Sequence, residues 1–328
     1  MTLAESGQGP ATRLAGDVAA GEVRAEREGM TVNGVLFFPV TPFDGSGAVD
    51  ADRLAEHVKA GLSHGPGGVF AACGTGEFHA LDIDEYTTVV STAVGAVGGA
   101  VPVFGGAGGA LPHAVACARR AAEAGADGLL VLPPYLVNGP ADGLVAYVEA
   151  VAAATDLPLV LYQRGGVRFA PSTAVRLARL PSVVGFKDGL GDLDLMQRIV
   201  LAVRDEVGED FMFFNGMPTA EQTQAAYRAI GVPLYSSAVF CFAPRLSVAF
   251  NQAMSAGDSA ACRALLAEFF RPLVELRDQV PGYAVSLVKA GVRLRGLDVG
   301  GVRPPLVDPS AAHLARLREL IEVADGLA

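Results

Sequence analysis

One lysine stands out in this sequence because it closes an apolar segment. Lys187 follows residues 183–186 (VVGF) and precedes Asp188 and Gly189, a glycine that breaks the segment. Burial disfavours the charged form of an amine and lowers its pKa, which is one way to make a lysine nucleophilic enough to form a Schiff base with a ketone. The alternative is a strand-end lysine whose stem is covered while its ammonium group reaches solvent. On this segment alone the alternative is favoured, because most lysines are solvated.

A second candidate for chemistry is the segment Gly-Thr-Gly-Glu at residues 74–77. Thr75 lies between Gly74 and Gly76, and a turn of this kind exposes consecutive backbone N–H groups that form a nest for a carboxylate. The two glycines could equally be turn residues without a binding role. We interpret Glu77 as a structural hydrogen-bonding acid rather than a catalytic one.

A tyrosine and an arginine lie two residues apart at the end of another apolar segment. Tyr162 could be a core aromatic whose hydroxyl is satisfied by the backbone, which is the commoner fate of a strand tyrosine. Paired with Lys187 on an adjacent strand, it becomes a candidate for proton transfer. Arg164 could bind a surface acid, or it could clamp the carboxylate of a keto acid beside the lysine. Arg168 is a weaker candidate for that clamp.

Eight short apolar segments alternate with helical segments between residues 34 and 239, and they carry these candidates. Apolar segments without period-two alternation are typical of parallel strands that helices cover on both faces. The segments are residues 34–40, 68–73, 101–105, 127–132, 157–163, 183–187, 211–214 and 234–239. Eight such units predict an α/β protein of the (β/α)8 TIM-barrel type, in which chemistry lies at the C-terminal ends of the strands.

A barrel would bring the ends of these strands together in one mouth. No GxGxxG follows the first segment, so we do not expect a dinucleotide cofactor. Lys187 and Tyr162 are the candidate catalytic residues of that mouth, and the alternatives given above stay open at this point. The candidate substrate-binding residues are Gly74, Thr75, Gly76, Arg164, Gly216 and Ser237.

The chain divides by composition into three parts. Residues 1–30 are rich in Ala, Gly, Glu and Arg and form an N-terminal tail, residues 31–250 form the catalytic barrel, and residues 251–328 form a C-terminal helical extension. We expect the extension to pack on the outside of the barrel or to build a subunit contact, because no long polar linker separates it from the barrel.

The charge balance limits the class of partner. The 328 residues carry a formal net charge of −10, and only 18% of them are charged. No block of Lys and Arg is available to neutralise phosphates, so we do not expect a nucleic-acid partner. A small acidic molecule remains compatible, since a few local cations can serve one pocket.

Cysteine and histidine spacing argues against a metal site. The four cysteines are widely spaced without a CxxC pair, and the five histidines form no HExxH pattern. Such spacing is typical of a reducing compartment rather than of a disulfide or zinc framework. We find no apolar span of membrane length and no signal-peptide pattern, and we expect a soluble cytoplasmic protein without a membrane partner.

These segments resemble a known family. The motifs at 74–77 (GTGE), 161–162 (LY) and 185–188 (GFKD) resemble those of the dihydrodipicolinate synthase and N-acetylneuraminate lyase superfamily, and the resemblance covers nearly the whole chain from residue 34. Several further motifs resemble the 5-dehydro-4-deoxyglucarate dehydratases. They are FPVTPFD at 38–44, GTGEF at 74–78, KDG at 187–189, PTAE at 218–221, YSSAVF at 235–240, GYAVSLVKAG at 282–291 and VRPPL at 302–306.

The resemblance implies a function and roles for three residues. It implies conversion of 5-dehydro-4-deoxy-D-glucarate, a hydroxylated keto diacid, to 2,5-dioxopentanoate, CO2 and water by a homotetramer of barrel dimers, without a metal or organic cofactor. Lys187 would be the Schiff-base lysine and Tyr162 the proton-transfer residue. Thr75 would bind the carboxylate beside the ketone.

The sequence departs from the dehydratase pattern near the expected pocket. Gly is usual before the GTGE segment, Asn at positions 163, 166 and 241, and an aromatic residue at 79. The chain instead has Cys73, His79, Gln163, Gly165, Gly166 and Cys241. Relative to dihydrodipicolinate synthases, the second tyrosine of a Tyr-Tyr pair is Leu136, so the interface relay of those enzymes is not expected.

Two other functions remain open at this point. One is an aldolase or lyase on the same scaffold that handles another 2-keto acid, such as pyruvate with an aldehyde. It would share Lys187 and differ in the pocket around Cys73, Gln163, Gly165 and Gly166. The other is a non-catalytic ligand-binding relative that retains the fold, since a fold does not establish turnover.

Overall fold

The computed structural model describes residues 32–134 and 137–327. The predicted N-terminal tail (1–30) and Leu136 lie outside these residues. Eight parallel strands form a closed barrel in which each strand pairs with its neighbours in chain order, and β1 returns to β8 with Leu36 opposite Ser236. The strands are β1 Leu36–Phe37, β2 Gly68–Ala71, β3 Val103–Ala107, β4 Gly128–Val131, β5 Leu159–Gln163, β6 Val183–Asp188, β7 Met212–Asn215 and β8 Leu234–Ser237. The predicted (β/α)8 barrel is therefore confirmed.

The α-helices of the described residues follow the strands and continue beyond the barrel. They are α1 Ala51–Leu62, α2 Ile83–Val97, α3 Leu111–Glu123, α4 Ala141–Ala152, α5 Pro171–Ala178, α6 Leu193–Val207, α7 Gln224–Ala229, α8 Pro244–Ala256, α9 Ser259–Leu265, α10 Arg271–Arg277, α11 Tyr283–Leu294 and α12 Ala311–Leu327. Within the described ranges, none of these helices has the length and apolarity needed to cross a membrane.

The strands are buried on both faces, which explains their apolar runs. Every residue of β2 to β6 is buried, because side chains alternate between the barrel interior and the helix layer. The first strand is much shorter than predicted, at two residues rather than seven. Pro39 has no N–H to donate to a ladder, so regular pairing ends before it.

Two segments whose apolar spacing predicts single helices, residues 218–230 and 258–276, are irregular. In the first, Thr219 adopts a left-handed conformation with φ of +52°, so no helix forms before a short 3-10 turn at Ala220–Gln222, and α7 begins after Thr223. Residues 258–276 form α9 and α10 joined by a π-helical segment at Leu266–Phe270. Pro272 lacks the N–H that a regular helix would donate to Glu268, which favours wider backbone spacing there.

The C-terminal helices share one hydrophobic core with the last part of the barrel. Phe250 of α8, Leu287 of α11 and Leu317 of α12 belong to a buried cluster that also contains Tyr235 and Val239 from the β8 region. Helices α10 and α11 therefore lie against the end of the barrel from which β8 leaves. This placement brings residues of the extension to the mouth.

Candidate active site

A cavity of about 720 Å³ opens at the C-terminal ends of the strands. Its wall contains Thr75 after β2, Tyr162 at the end of β5, Lys187 near the end of β6 and Gly216 after β7. Side chains of α10 and α11 close the opposite wall. A cavity of this size is typical of a small-molecule site.

Lys187 is buried at the bottom of this cavity and is only 4% exposed. Its Nζ lies 4.0 Å from the ring centre of Phe38 and 4.8 Å from that of Tyr162. Burial, helped by the positive charge of Arg164, lowers the pKa of Lys187 to about 7. Near neutral pH a large fraction of this amine is therefore uncharged and able to attack a carbonyl carbon.

Tyr162 stands directly beside the lysine, because the two residues are paired between β5 and β6. Its hydroxyl donates a 2.9 Å hydrogen bond to the carbonyl of Gly216, and Nη1 of Arg164 lies 3.4 Å from the same oxygen. Burial raises the pKa of the phenol, although the charge of Arg164 opposes the shift. The resting side chain of Tyr162 is therefore a protonated phenol. The guanidinium of Arg164 lies close enough to stabilise the phenolate when it forms.

Gly216 is important for its lack of a side chain. A Cβ there would lie 2.7 Å from Cε of Lys187 and 2.8 Å from Cε2 of Tyr162, distances that real contacts do not show. Its N–H donates to the carbonyl of Asp188, the residue after the lysine, at 2.6 Å. The structure therefore brings Gly216 to the site as a backbone element that spaces the two candidate catalytic side chains.

Two of the three residues of the Gly-Thr-Gly segment line the cavity. Gly74 and Thr75 are in its wall, whereas Gly76 packs behind them. The carbonyl of Gly76 accepts a 2.6 Å hydrogen bond from Thr41, and a Cβ at Gly76 would lie 3.1 Å from the carbonyl oxygen of Pro39. Nη1 of Arg164 approaches this loop, lying 3.6 Å from the position of a Cβ on Gly74.

Ser237 is not placed where the sequence interpretation put it. Its hydroxyl donates a 2.5 Å hydrogen bond to Oε1 of Glu221 and lies 3.0 Å from Oγ of Ser247, and the side chain is fully buried. Its neighbour Ser236 lines the cavity instead. Successive side chains of a strand point to opposite faces, so only one of the two serines can face the mouth.

Three of the departures from the dehydratase pattern lie away from the cavity wall. Gln163 is buried, donates a 2.7 Å hydrogen bond to Asp188 and accepts one from the N–H of Phe169. Cys241 donates its thiol to the carbonyl of Phe38 at 3.1 Å, and Cys73 is fully buried. These changes therefore reach the site only through the backbone and side chains that they support.

His79, Gly165 and Gly166 do line the cavity. At Gly166 an added Cβ would lie 1.9 Å from Oδ1 of Asn138, which also lines the cavity. The side chain of Asn138 therefore occupies the space next to the position where the dehydratase pattern has an asparagine. Arg168, the weaker candidate for the carboxylate clamp, forms an ion pair with Asp192 at the surface instead.

The charge of the cavity wall has one sign. Among the described residues that line it, the charged side chains are Lys187, Arg164 and Arg277, and none is an Asp or a Glu. Arg277, at the end of α10, donates from Nη1 to the carbonyl of Pro218 at 2.8 Å and to Oγ1 of Thr219 at 2.9 Å, and its Nε forms a 2.8 Å ion pair with Asp278, which is not in the cavity wall. The sequence interpretation missed Arg277, because nothing in its local pattern shows that α10 returns to the mouth.

The fold and this site together define a (β/α)8-barrel enzyme with its candidate active site at the C-terminal face. The chain belongs to the dihydrodipicolinate synthetase family, whose family model matches residues 31–324. In the part of the chain that the structure describes, no group of three or more His, Cys, Asp or Glu side chains could hold a metal ion.

Curated relatives and solved structures agree with this family. The chain is 57% identical over 291 residues to "Probable 5-dehydro-4-deoxyglucarate dehydratase 1" of Streptomyces coelicolor, covering 88% of this chain and 92% of that protein. It is 45% identical to "Probable 5-dehydro-4-deoxyglucarate dehydratase" of Paracidovorax citrulli, covering 88% and 95%. The crystal structure of dihydrodipicolinate synthase from Thermotoga maritima superposes with a TM-score of 0.81 at 28% identity, covering 90% and 99%.

Proposed function

We propose that this protein is a decarboxylating dehydratase that converts 5-dehydro-4-deoxy-D-glucarate to 2,5-dioxopentanoate, CO2 and water through a Schiff base on Lys187. The observation that carries the proposal is a buried lysine beside a tyrosine, in a cavity whose charged lining residues, among those that the structure describes, are all basic. A substrate with two carboxylates suits such a wall, and the names of the curated relatives supply the particular diacid.

The chemistry begins at the ketone. Neutral Nζ of Lys187 attacks C5, water leaves, and the resulting iminium acidifies the C4–H bond. Tyr162, as phenolate or through a water that it orients, removes that proton, and the C3 hydroxyl leaves as water. The double bond between C3 and C4 is then conjugated with the imine.

Loss of CO2 follows from that conjugation. The electrons of the C1–C2 bond move through the C3–C4 double bond into the iminium, so CO2 leaves without a separate electron sink. Decarboxylation leaves a dienamine that carries an enol at C2. Protonation at C4 restores the iminium, and the enol becomes an aldehyde as its hydroxyl loses a proton and C3 gains one; Tyr162 relays these protons with solvent. Water then hydrolyses the iminium, which releases 2,5-dioxopentanoate and free Lys187. The protonated imine does the work that a metal or an organic cofactor does elsewhere.

The two arginines divide between the two ends of the substrate. The backbone of Thr75 holds the C6 carboxylate next to the ketone, and Arg164 supports it from beside the loop and the phenol. The closeness of Arg164 to Gly74 favours the ketone end over the hydroxylated distal end for this arginine. Arg277 lies in the wall that α10 and α11 form, and we assign it to the C1 end.

The experiment that tests this proposal is intact-protein mass spectrometry after borohydride reduction, with a parallel assay for CO2. An adduct with 5-dehydro-4-deoxyglucarate that is lost in Lys187→Ala, together with CO2 release, supports the dehydratase. An adduct with pyruvate but no CO2 from the glucarate substrate would point to the aldolase or lyase alternative. No adduct with either compound would favour a ligand-binding protein.

We also propose, from the family resemblance, that the chain works as a cytoplasmic homotetramer built from two dimers. Light scattering coupled to size-exclusion chromatography measures the assembly directly. A mass of four chains supports the tetramer, and a mass of one or two chains at micromolar concentration contradicts it.

A further inference from the structure

A buried ion pair joins the segment of the candidate carboxylate nest to the C-terminal extension. Nζ of Lys289, on α11, lies 2.7 Å from Oε1 of Glu77, and both side chains are fully buried. The other carboxylate oxygen, Oε2, accepts a 2.8 Å hydrogen bond from the backbone N–H of Arg303. Both oxygens of this carboxylate are therefore bound by groups that lie 212 and 226 residues further along the chain.

Stability alone is a poor explanation for such a pair. Removing two charges from water costs about as much as their attraction returns, and a well-packed apolar pair of similar volume often does as well or better. The ion pair differs from an apolar contact in its geometry, because each hydrogen bond specifies one direction and one distance. It therefore defines the position of the Glu77 side chain more narrowly than packing would.

The backbone of Glu77 adopts a conformation that must be held in place by its surroundings. Its φ is +55°, in the left-handed region that side-chain-bearing residues rarely adopt. The N–H of Glu77 donates to the carbonyl of Gly74 at 3.2 Å, so the turn closes over Thr75. A strained residue of this kind persists where its surroundings hold it in place. Fixing Glu77 therefore fixes the orientation of the N–H groups that precede it.

Helix α11, which carries Lys289, also forms part of the cavity wall. Tyr283, Leu287 and Val288 of α11 line the cavity, while Lys289 on the same helix reaches Glu77. Arg303 adds a second attachment, because its guanidinium donates at 2.7 Å both to the carbonyl of Ala80 and to Oε2 of Glu85. These contacts fix the distance between the Gly74–Gly76 loop and the cavity wall formed by α11.

The geometry points to Glu77 and Lys289 as positioning residues, which hold the N–H groups of the Gly74–Gly76 loop at the place where the substrate carboxylate must lie for its ketone to meet Lys187. Neither residue touches the substrate. The inference rests on the proposed function, because it assumes that Thr75 binds the carboxylate beside the ketone. It also accounts for two motifs that lie far along the sequence from the Gly74–Gly76 loop, those that contain Lys289 and Arg303.

The test uses the double variant Glu77→Gln with Lys289→Met, which removes both charges and leaves no unpaired buried ion. A matched control, Asp325→Asn, removes the charge from an ion pair in which Arg295 donates two 2.7 Å hydrogen bonds and which joins the end of α11 to α12 away from the loop. Hydrogen exchange of a peptide that covers residues 74–80 reports the loop directly. Substrate kinetics and borohydride trapping report its consequence for the site.

We expect faster exchange in residues 74–80 of the double variant only. We also expect its KM for 5-dehydro-4-deoxyglucarate to rise about tenfold or more, the effect of losing one well-placed hydrogen bond to a charged group, while the number of sites that borohydride traps at saturation is unchanged. A purely structural role would instead lower the number of trapped sites at constant KM, and that result would overturn the inference.

Unchanged exchange together with an unchanged KM would also overturn it. The failure of the proposed function looks different, because the wild-type protein would then form no adduct with either 5-dehydro-4-deoxyglucarate or pyruvate. The exchange comparison still decides in that case whether the ion pair positions the loop.

Discussion

The hydroxyl of Tyr162 donates a 2.9 Å hydrogen bond to the carbonyl of Gly216, and this bond joins the end of β5 to the loop after β7 across Lys187. The two strands are not neighbours, since β6 lies between them. A glycine is required at 216 because a Cβ would lie 2.7 Å from Cε of the lysine. The spacing of the two candidate catalytic groups therefore depends on a residue that contributes no side chain.

Gly216→Ala tests this dependence. The added methyl group displaces the lysine or the tyrosine, and a misplacement of about 1 Å can cost about 100-fold in rate. Steady-state kinetics should show that loss in kcat, with a circular dichroism spectrum like that of wild type. Gly95→Ala in α2 is the control, because nothing lies within 4 Å of its added Cβ. A fully active Gly216→Ala variant would contradict the assigned geometry.

Tyr162→Phe separates proton transfer from Schiff-base formation. Loss of a general acid-base group typically lowers the rate by about 10²- to 10⁴-fold, so kcat should fall in that range. Lys187 remains in place, and borohydride should still trap an adduct with pyruvate. The assignment of Tyr162 fails if this variant releases CO2 from the substrate at the wild-type rate.

The pKa of Lys187 predicts a pH dependence of adduct formation. Because burial lowers this pKa to about 7, the neutral amine accumulates as the pH rises through 7, and the initial rate of adduct formation with pyruvate should rise and then level off. An ordinary lysine would not approach its plateau until about pH 10. Arg164→Gln should move the midpoint upward, since the arginine's positive charge disfavours the ammonium form. A midpoint at about pH 10 in the wild type, the value of an ordinary lysine, would exclude a depressed pKa.

Arg277→Gln tests the assignment of the distal carboxylate. The variant keeps a hydrogen-bonding group near Pro218 and Thr219 but removes the charge. A charged hydrogen bond contributes about 1.5–3 kcal/mol, so KM for the diacid should rise about 10- to 100-fold. Binding of pyruvate, which has no second carboxylate, should change little. Equal losses for both compounds would mean that Arg277 supports the site as a whole rather than the C1 end.

The raised pKa of Glu221 predicts that the stability of the fold, rather than catalysis, depends on pH. Burial raises the pKa of its carboxyl group to about 7, although the hydrogen bond from Ser237 opposes the shift. Between pH 4.5 and 7 the folded state therefore holds more protons than the unfolded chain, and stability falls as the pH rises. The raised pKa corresponds to at most about 3 kcal/mol.

Glu221→Gln removes this titration. Thermal unfolding of the variant should show a higher melting temperature than wild type at pH 8 and a similar one at pH 5. Glu123→Gln on α3, an exposed residue, serves as the control. If the variant's melting temperature rose equally at pH 5 and pH 8, the carboxyl group of Glu221 would have the same charge in the folded protein at both pH values. That result would contradict a pKa of about 7.

Short-range pattern was enough to predict the barrel. Buried parallel strands read as continuous apolar runs, and helices between them follow from spacing alone, so residues 183–187 and 157–163 were recognised as strands that carry Lys187 and Tyr162. The boundaries were less accurate. The strand predicted at 34–40 is regular only at Leu36–Phe37, because Pro39 cannot donate to the ladder. In the segment predicted as a helix at 218–230, the left-handed backbone of Thr219 keeps the first residues out of a helix.

The amino-acid sequence by itself determined the fold class, the strand-end residues and the family, because these depend on local periodicity and on motifs within a few residues of each other. Only the tertiary structure decided which side chains face the cavity. Ser236 rather than Ser237 does so because a strand alternates its faces, and Arg277 does so because a shared hydrophobic core draws α10 against the mouth. Glu77 and Lys289 are separated by 212 residues in the sequence, and no local sequence pattern indicates a contact between residues so far apart.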